Sequence, residues 1–392
     1  MEKYGQYRDK GTYNSTDPQE RRTTTQLTGI PAGSGVAPFF PVSPPASSPL
    51  LLPWYLFLCF VRIPLLAFAW LVWLTLIQWL PAGTGLRKAN QWCLLGVPGV
   101  WWIDLQVDGV RRGSLGQTPS GKLPYPGSII ASSWTSPLDV LYLAAIWDPI
   151  FTQSLRGNRL VREISQESAL AACFNLTNPL AIVAEKPLVS LETLVNQNPS
   201  RVIVVFPEGT TSNGRGILKF TPSLTSAGSS TKVYPVSLRY TPADVVTPIP
   251  GWLEALRFIW RLNSAGTHCI RVRIGAATTM APAPTNGGAA LDSPSPATTS
   301  ARTSTSDRST KRNSFESNFF DTLQASPAPK VTGDGSEDSE GDDATMTAQE
   351  RRRLDAVAED LARLGRVKRV NLGVAEKARF VEAWAKRAKS RK

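Results

Sequence analysis

Metal-ligating side chains are scarce in this sequence. It holds one histidine, His268, and four cysteines (Cys59, Cys93, Cys173 and Cys269) that lie far apart with no Cys-x-x-Cys pair. A His-rich metal site is therefore excluded. No metal, zinc site or disulfide framework is expected, and a reducing compartment fits better. A cleavable signal peptide is not expected either, because the first long apolar run begins only near residue 49. Acidic residues are the minority: 31 Asp and Glu face 43 Lys and Arg, a net charge of +12. That balance suits anionic partners such as lipid headgroups or nucleic acid, and charge alone does not separate them. No recognisable nucleic-acid-binding fold or aromatic RNA platform accompanies the charge, so a nucleic-acid partner is not expected. The 392 residues allow one sizeable domain with appendages, or two small ones.

What is abundant is unevenly placed. Residues 1–48 are polar, then rich in Pro, Gly and Ser, with no apolar period, and are expected to form a disordered tail. Residues 49–80 are the most apolar part of the chain, with Arg62 as their one charge. As one helix, Pro53 to Leu80 would reach roughly 42 Å at 1.5 Å per residue, against a hydrocarbon core about 30 Å thick. Arg62 and Pro64 fall inside the run, where a charge is costly and proline kinks a helix. Two readings of this membrane segment (49–82) follow. Pro64–Leu80 could span alone, at about 25 Å, or 51–61 and 64–80 could form a bent pair that enters one leaflet and returns. Lys and Arg flank both sides about equally, which leaves orientation open.

Residues 83–278 alternate β-rich runs with helical stretches, as in an α/β domain with a mixed sheet flanked by helices. Expected strands are Gly127–Ser133, Arg201–Phe206, Val233–Arg239 and Cys269–Ile274. Arg201–Phe206 is an almost unbroken β-branched run, the pattern of a strand buried on both faces. Helices are expected at Pro137–Ile146, Val161–Phe174, Ser190–Asn196 and Trp252–Leu262. Residues 279–348 are a Ser, Thr, Pro, Ala and Gly linker with an acidic patch. Residues 349–392 turn helical and basic, and Leu354, Val357, Leu361 and Leu364 recur at helical spacing. This region either packs on the main domain or binds an anionic membrane surface, and packing is favoured because acids are mixed with the bases.

Two loops carry chemistry. The first, Phe206-Pro-Glu-Gly-Thr-Thr-Ser-Asn-Gly-Arg-Gly-Ile-Leu-Lys-Phe220, follows the buried strand. Ligands gather beyond the carboxyl ends of strands in open α/β sheets. Asn213-Gly214 signals a tight turn, and Arg215 and Lys219 beside it suit a phosphate. The second loop is Ser132-Ser-Trp-Thr-Ser-Pro-Leu-Asp139. Ser136 is a good N-cap, Pro137 a good first helical residue, and Asp139 falls where an acid can complete a capping box.

FPEGTTSNGR followed by LKF resembles the third conserved block of the phospholipid/glycerol acyltransferase (PlsC-like) family. Val233-Tyr-Pro-Val-Ser-Leu resembles its fourth block, and Ser132–Asp139 sits where the family has its first, Asn-His-x4-Asp. With the apolar segment and the Leu361–Trp384 region, the likeness is closest to fungal lysophosphatidic acid acyltransferases of the endoplasmic reticulum and lipid droplets. The resemblance covers roughly residues 85–278. It implies the glycerolipid acyltransferase fold. It also implies transfer of a long acyl chain from acyl-CoA, a substrate rather than a cofactor, to a lysophospholipid at a membrane, with the domain facing the cytosol.

In the family the first-block His is the general base and the Asp orients it. Here Trp134 stands at the position of that His, and Ser133 replaces the Asn. Indole N–H donates only and takes no proton at neutral pH. Asp139 is then either catalytic or a cap, and His268 could stand in as base only if it reached the same pocket. The resemblance carries substrate binding onto Glu208, Gly209, Thr210, Arg215 and Lys219, and onto Lys186 as a stand-in for the second-block Arg. A catalytically silent lipid-binding or scaffold protein is the alternative reading.

Overall fold

The computed structural model describes residues 7–8, 35–44, 49–110, 120–174, 186–280 and 346–390. Helices are α1 (Leu52–Thr75), α2 (Gly85–Gly96), α3 (Pro137–Trp147), α4 (Gln166–Cys173), α5 (Leu191–Gln197), α6 (Trp252–Ser264), α7 (Ala348–Gly365) and α8 (Val374–Ser390). Strands are β1 (Val100–Val107), β2 (Ile129–Ser132), β3 (Ile150–Ser154), β4 (Val161–Ile164), β5 (Leu188–Val189), β6 (Ile203–Val205), β7 (Gly216–Ile217), β8 (Lys232–Thr241), β9 (His268–Ile274), β10 (Thr278–Thr279) and β11 (Lys368–Arg369).

The main sheet is mixed, in the order β1-β9-β8-β2-β6-β3-β4-β5, with β10 beside β8. Its centre, β8-β2-β6-β3, is parallel. The β-branched run behaves as its pattern requires. Ile203 and Val205 enter one core, and Val204 and Phe206 enter the other. Both faces of β6 are thus buried, which only a strand covered on two sides allows.

One face is covered by α2, α3 and α4, and the other by α5 and α7. The α7 stripe Leu354, Val357, Leu361 and Leu364 is buried, with Leu354, Val357 and Leu361 against Ile129, Ile203 and Val233. The C-terminal region therefore packs as a layer of the domain. A capping box at Thr347 and Glu350 starts α7, and the Arg159–Glu350 ion pair at 2.8 Å ties that start to the β3–β4 connection.

Several expectations need correction. Val161–Phe174 is not one helix: Val161–Ile164 pairs antiparallel with β3, and α4 starts only after the Ser165 cap. The N-terminal tail is not wholly without structure, because Phe39 is fully buried against Phe380. Two apolar rings there outweigh the polar composition around them. Met280, inside the expected linker, is buried too. A break at Pro64 is not seen; α1 runs through it without interruption. Residues 281–345, most of the linker, lie outside the described residues.

Helix α1 lies along the domain. Arg62 donates to the carbonyls of Asn263 (3.1 Å), Ala265 and Gly266 (2.8 Å). These sit at the C-terminal end of α6, where unpaired carbonyls and the helix dipole favour a cation. Eleven residues on, Trp73 Nε1 donates to Glu167 at 2.6 Å, and Arg87 lies over its ring. The opposite face exposes Trp54, Phe57, Phe60, Leu65 and Phe68. Among the described residues this is one helix long and apolar enough to cross a membrane.

Candidate acyl-transfer site

Both sequence-marked loops leave the carboxyl ends of adjacent parallel strands, β2 and β6. The structure joins them through the backbone. Ser212 N–H donates to Trp134 O at 2.9 Å, and Thr247 N–H donates to Thr135 O at 2.9 Å. Thr211 Oγ1 donates to Thr247 O at 2.9 Å, which closes the link.

Asp139 is fully buried at the start of α3. Its Oδ2 accepts from Thr135 N (2.7 Å), Thr135 Oγ1 (3.0 Å) and Ser136 N (2.9 Å), and its Oδ1 accepts from the Tyr240 hydroxyl. Burial pushes its pKa up to about 6, against the lowering effect of these hydrogen bonds. The carboxylate is thus occupied by capping and by Tyr240. Nothing in this geometry has it orienting a base.

Trp134 is 3% exposed and acts as a plug. Its ring stacks on Phe206 at 4.7 Å and 16°, and Phe206 stacks on Phe151 at 6.4 Å. Its Nε1 donates to Cys173 Sγ at 3.1 Å. An aromatic column of Trp134, Phe206 and Phe151 thus fills this end of the sheet. Burial raises the Cys173 thiol pKa, so this sulfur stays a thiol.

Glu208 is the unusual group. It is fully buried, and neither oxygen has a well-formed hydrogen bond among the described residues. Burial raises its pKa well above the ordinary carboxylate range. Leu218 N–H and the Ser212 hydroxyl lower it only in part, so a buried carboxyl this weakly compensated is costly in a core. Gly209 follows at φ +64°, and a Cβ there would meet Thr221 Cγ2 at 3.2 Å and Val374 Cγ2 at 3.3 Å. Only glycine fits this turn without strain. Thr210 is half-buried beside it.

The chain bends tightly at Asn213-Gly214, with Arg215 N–H on Asn213 Oδ1 at 3.1 Å. Gly214 alone of the pair has positive φ, +69°. The Asn213 amide donates to Ala37 O (2.8 Å) and Phe40 O (2.9 Å), clamping the N-terminal segment to the loop. Arg215 is exposed, and Lys219 is half-buried with its backbone N–H on Leu372 O at 2.9 Å.

Two other sequence candidates go elsewhere. Lys186 pairs with Glu163 of β4 at 2.7 Å, on the far side of the sheet from β8. The stretch 181–185 before it lies outside the described residues. His268 begins β9 at the same end of the sheet as the two loops, but its Nε2 is held by Leu262 O at 2.9 Å, and burial lowers its pKa. No described contact brings it to Asp139 or Glu208.

Sequence reasoning missed Tyr240 and Lys377. Lys377 of α8 is 7% exposed, and its Nζ donates to both Thr211 O and Thr211 Oγ1 at 2.6 Å. Burial lowers its pKa to about 7, partly offset by Cys173 and Glu208. Its signal was legible: it falls three residues before Phe380 and seven before Trp384, on the apolar stripe of its helix. The interior of the site therefore holds a Glu208 whose burial favours the neutral carboxyl, a saturated Asp139 and a lysine whose pKa burial lowers to about 7.

Comparison with known proteins agrees with the motifs. Over 232 residues the chain is 26% identical to a Schizosaccharomyces pombe protein provisionally described as a lysophosphatidic acid:oleoyl-CoA acyltransferase, covering 58% of this chain and 76% of that one. Over 121 residues it is 27% identical to glycerol-3-phosphate acyltransferase 3 of Mus musculus and of Rattus norvegicus. That stretch is 30% of this chain but spans only 27% and 26% of the two mammalian proteins. No family model and no solved structure matches. By motif and by aligned relatives, the similarity of this chain is to the glycerolipid acyltransferases.

Proposed function

We propose that the chain transfers a long-chain acyl group from acyl-CoA to lysophosphatidic acid or a related lysophospholipid, in phospholipid and triacylglycerol synthesis. The observation that carries this reading is the FPEGTTSNGR loop, seated at the end of β6 and holding the Glu208 carboxyl fully buried beside Leu218 N–H and the Ser212 hydroxyl. In the reaction the acceptor hydroxyl oxygen attacks the thioester carbon. A C–O bond forms, the C–S bond breaks, and the hydroxyl proton ends on the CoA thiol. Arg215 and Lys219 would meet the acceptor phosphate, and Glu208, Gly209 and Thr210 would place the acceptor.

Asp139 is occupied by four donors and His268 by Leu262, so the acceptor's own phosphate is the better recipient of the proton in transit. A positioned base typically contributes ~10²–10⁴ in rate. The chain would work more slowly than a relative with the histidine, relying on positioning and on polar groups aimed at the oxyanion. Purified protein in detergent micelles, given labelled oleoyl-CoA and lysophosphatidic acid, tests this. Product above the level of Glu208→Gln and Arg215→Ala supports it, and product equal to theirs removes it.

A membrane setting fits the same reading, since both lipids partition there. Because α1 is fastened to the domain at Arg62 and Trp73, its exposed face and that of α6 (Trp252, Leu256, Trp260) lie side by side. These faces suit in-plane insertion into the cytosolic leaflet of the endoplasmic reticulum or a lipid-droplet monolayer. A second reading, a catalytically silent lipid-binding protein, is favoured by one observation: Trp134 is a packed core residue. Activity that arises only in Trp134→His would select it.

A further inference from the structure

The C-terminal region lies more than a hundred residues after the Glu208 loop in sequence, yet it touches that loop at four places. Strand β11 pairs in parallel with β7, at Lys368–Gly216 and Arg369–Ile217. Lys219 N–H donates to Leu372 O at 2.9 Å. Val374 Cγ2 lies 3.3 Å from where a Cβ on Gly209 would be. Lys377 Nζ reaches Thr211 twice, at 2.6 Å. The first three contacts already fix the segment, and Phe380, fully buried among Tyr7, Phe39 and Phe40, already anchors α8.

The lysine therefore has no packing reason. Removing an ammonium from water is expensive, and a methionine at 377 would fill the same space without that cost. Its surroundings are electrostatic. A charge on Glu208 would favour its ammonium form, and a charge on Asp139 would in turn disfavour the Glu208 carboxylate. The two hydrogen bonds fall on Thr211, three residues after Glu208 and next to Ser212, which holds Trp134.

We propose that α8 is part of the acyl-transfer site, with Lys377 as the positioning residue that sets the Glu208 loop for reaction. It acts through Thr211, whose hydroxyl it leaves free to donate onward to Thr247. The proposal rests on the acyl-transfer reading above.

The test uses the full-length protein in micelles, with oleoyl-CoA and lysophosphatidic acid. Lys377→Met is expected to lower kcat by about tenfold or more while KM for lysophosphatidic acid moves less than about threefold. Lys377→Arg is expected to recover part of that loss. Lys377→Met combined with Glu208→Gln is expected to be no slower than the slower single variant, the non-additivity of residues acting as one unit. Circular dichroism checks that the variants fold. If Lys377→Met does not fold, Thr211→Val, which removes the hydroxyl acceptor, is expected to lower kcat at unchanged KM. Wild-type kcat in Lys377→Met or Thr211→Val overturns the proposal, and so do independent, multiplying losses in the double variant. A wild type without activity overturns the acyl-transfer reading itself, and this proposal with it.

Discussion

Trp134 and Glu208 pull the chain in opposite directions. The tryptophan completes a column with Phe206 and Phe151, so it belongs to the core as much as to the site. Trp134→His should remove most of that packing and cost about 2–4 kcal/mol, within the range for large-to-small core changes. Urea denaturation followed by circular dichroism measures it. Acyl transfer in that variant should not exceed wild type, because Asp139 already accepts from four donors and has no clear site left to orient an imidazole. Glu208 is the reverse case: burial costs it more than Leu218 N–H and the Ser212 hydroxyl return, so it weakens the fold. Its folded pKa is raised by burial. The stability of the wild type is therefore fullest below the unfolded value, near pH 4.5, and declines as pH rises toward the folded pKa. Glu208→Gln has no such titration. Its melting temperature relative to wild type should climb as pH rises above about 4.5, read by thermal denaturation at increasing pH. A difference that stays flat would show Glu208 ionised in the fold. Of the residues around the site, Glu208, Gly209 and Asp139 were legible from local pattern. Tyr240 and Lys377 were not read, because each acts on a residue about a hundred positions or more away.

At the scale of elements, the sequence was most readable where one period was unmixed. Arg201–Phe206 and the α7 stripe both show this. It failed where short elements of two types adjoin, as in Val161–Cys173, and where a buried Phe39 and a half-buried Phe40 are set in a polar tail. Arg62 in the apolar run was readable as a cost, but not as a hook, since its acceptors come from a helix end some two hundred residues on. Arg62→Met should leave those carbonyls unpaired and destabilise by about 1–3 kcal/mol. Proteolysis within α1 should accelerate accordingly. Helix α7 carries its own test. Leu361 is fully buried against the sheet, so Leu361→Ala should cost about 2–5 kcal/mol. If α7 instead spent its apolar face on lipid, the melt of the soluble fold would not move.

For the molecule as a whole, the outward apolar faces of α1 and α6 and the Glu208 loop belong to one body. Changing Trp252, Leu256 and Trp260 together to serine should weaken binding to phosphatidylcholine vesicles at least about tenfold, because each large side chain contributes roughly 1.5–3 kcal/mol on burial. Flotation on a sucrose gradient reports it. A tag placed before residue 48 should remain open to protease on sealed microsomes if α1 lies in the plane of one leaflet. Protection of that tag would mean a span.

The central claim is that a glycerolipid acyltransferase-like chain with Trp134 in the place of the base still transfers acyl groups. The most direct measurement is the rate of labelled oleoyl transfer from CoA to lysophosphatidic acid by the purified full-length protein, wild type beside Glu208→Gln. Slow but clear product from the wild type, lost in Glu208→Gln, is the expected result. Equal rates from the two, or product only after Trp134→His, would contradict it.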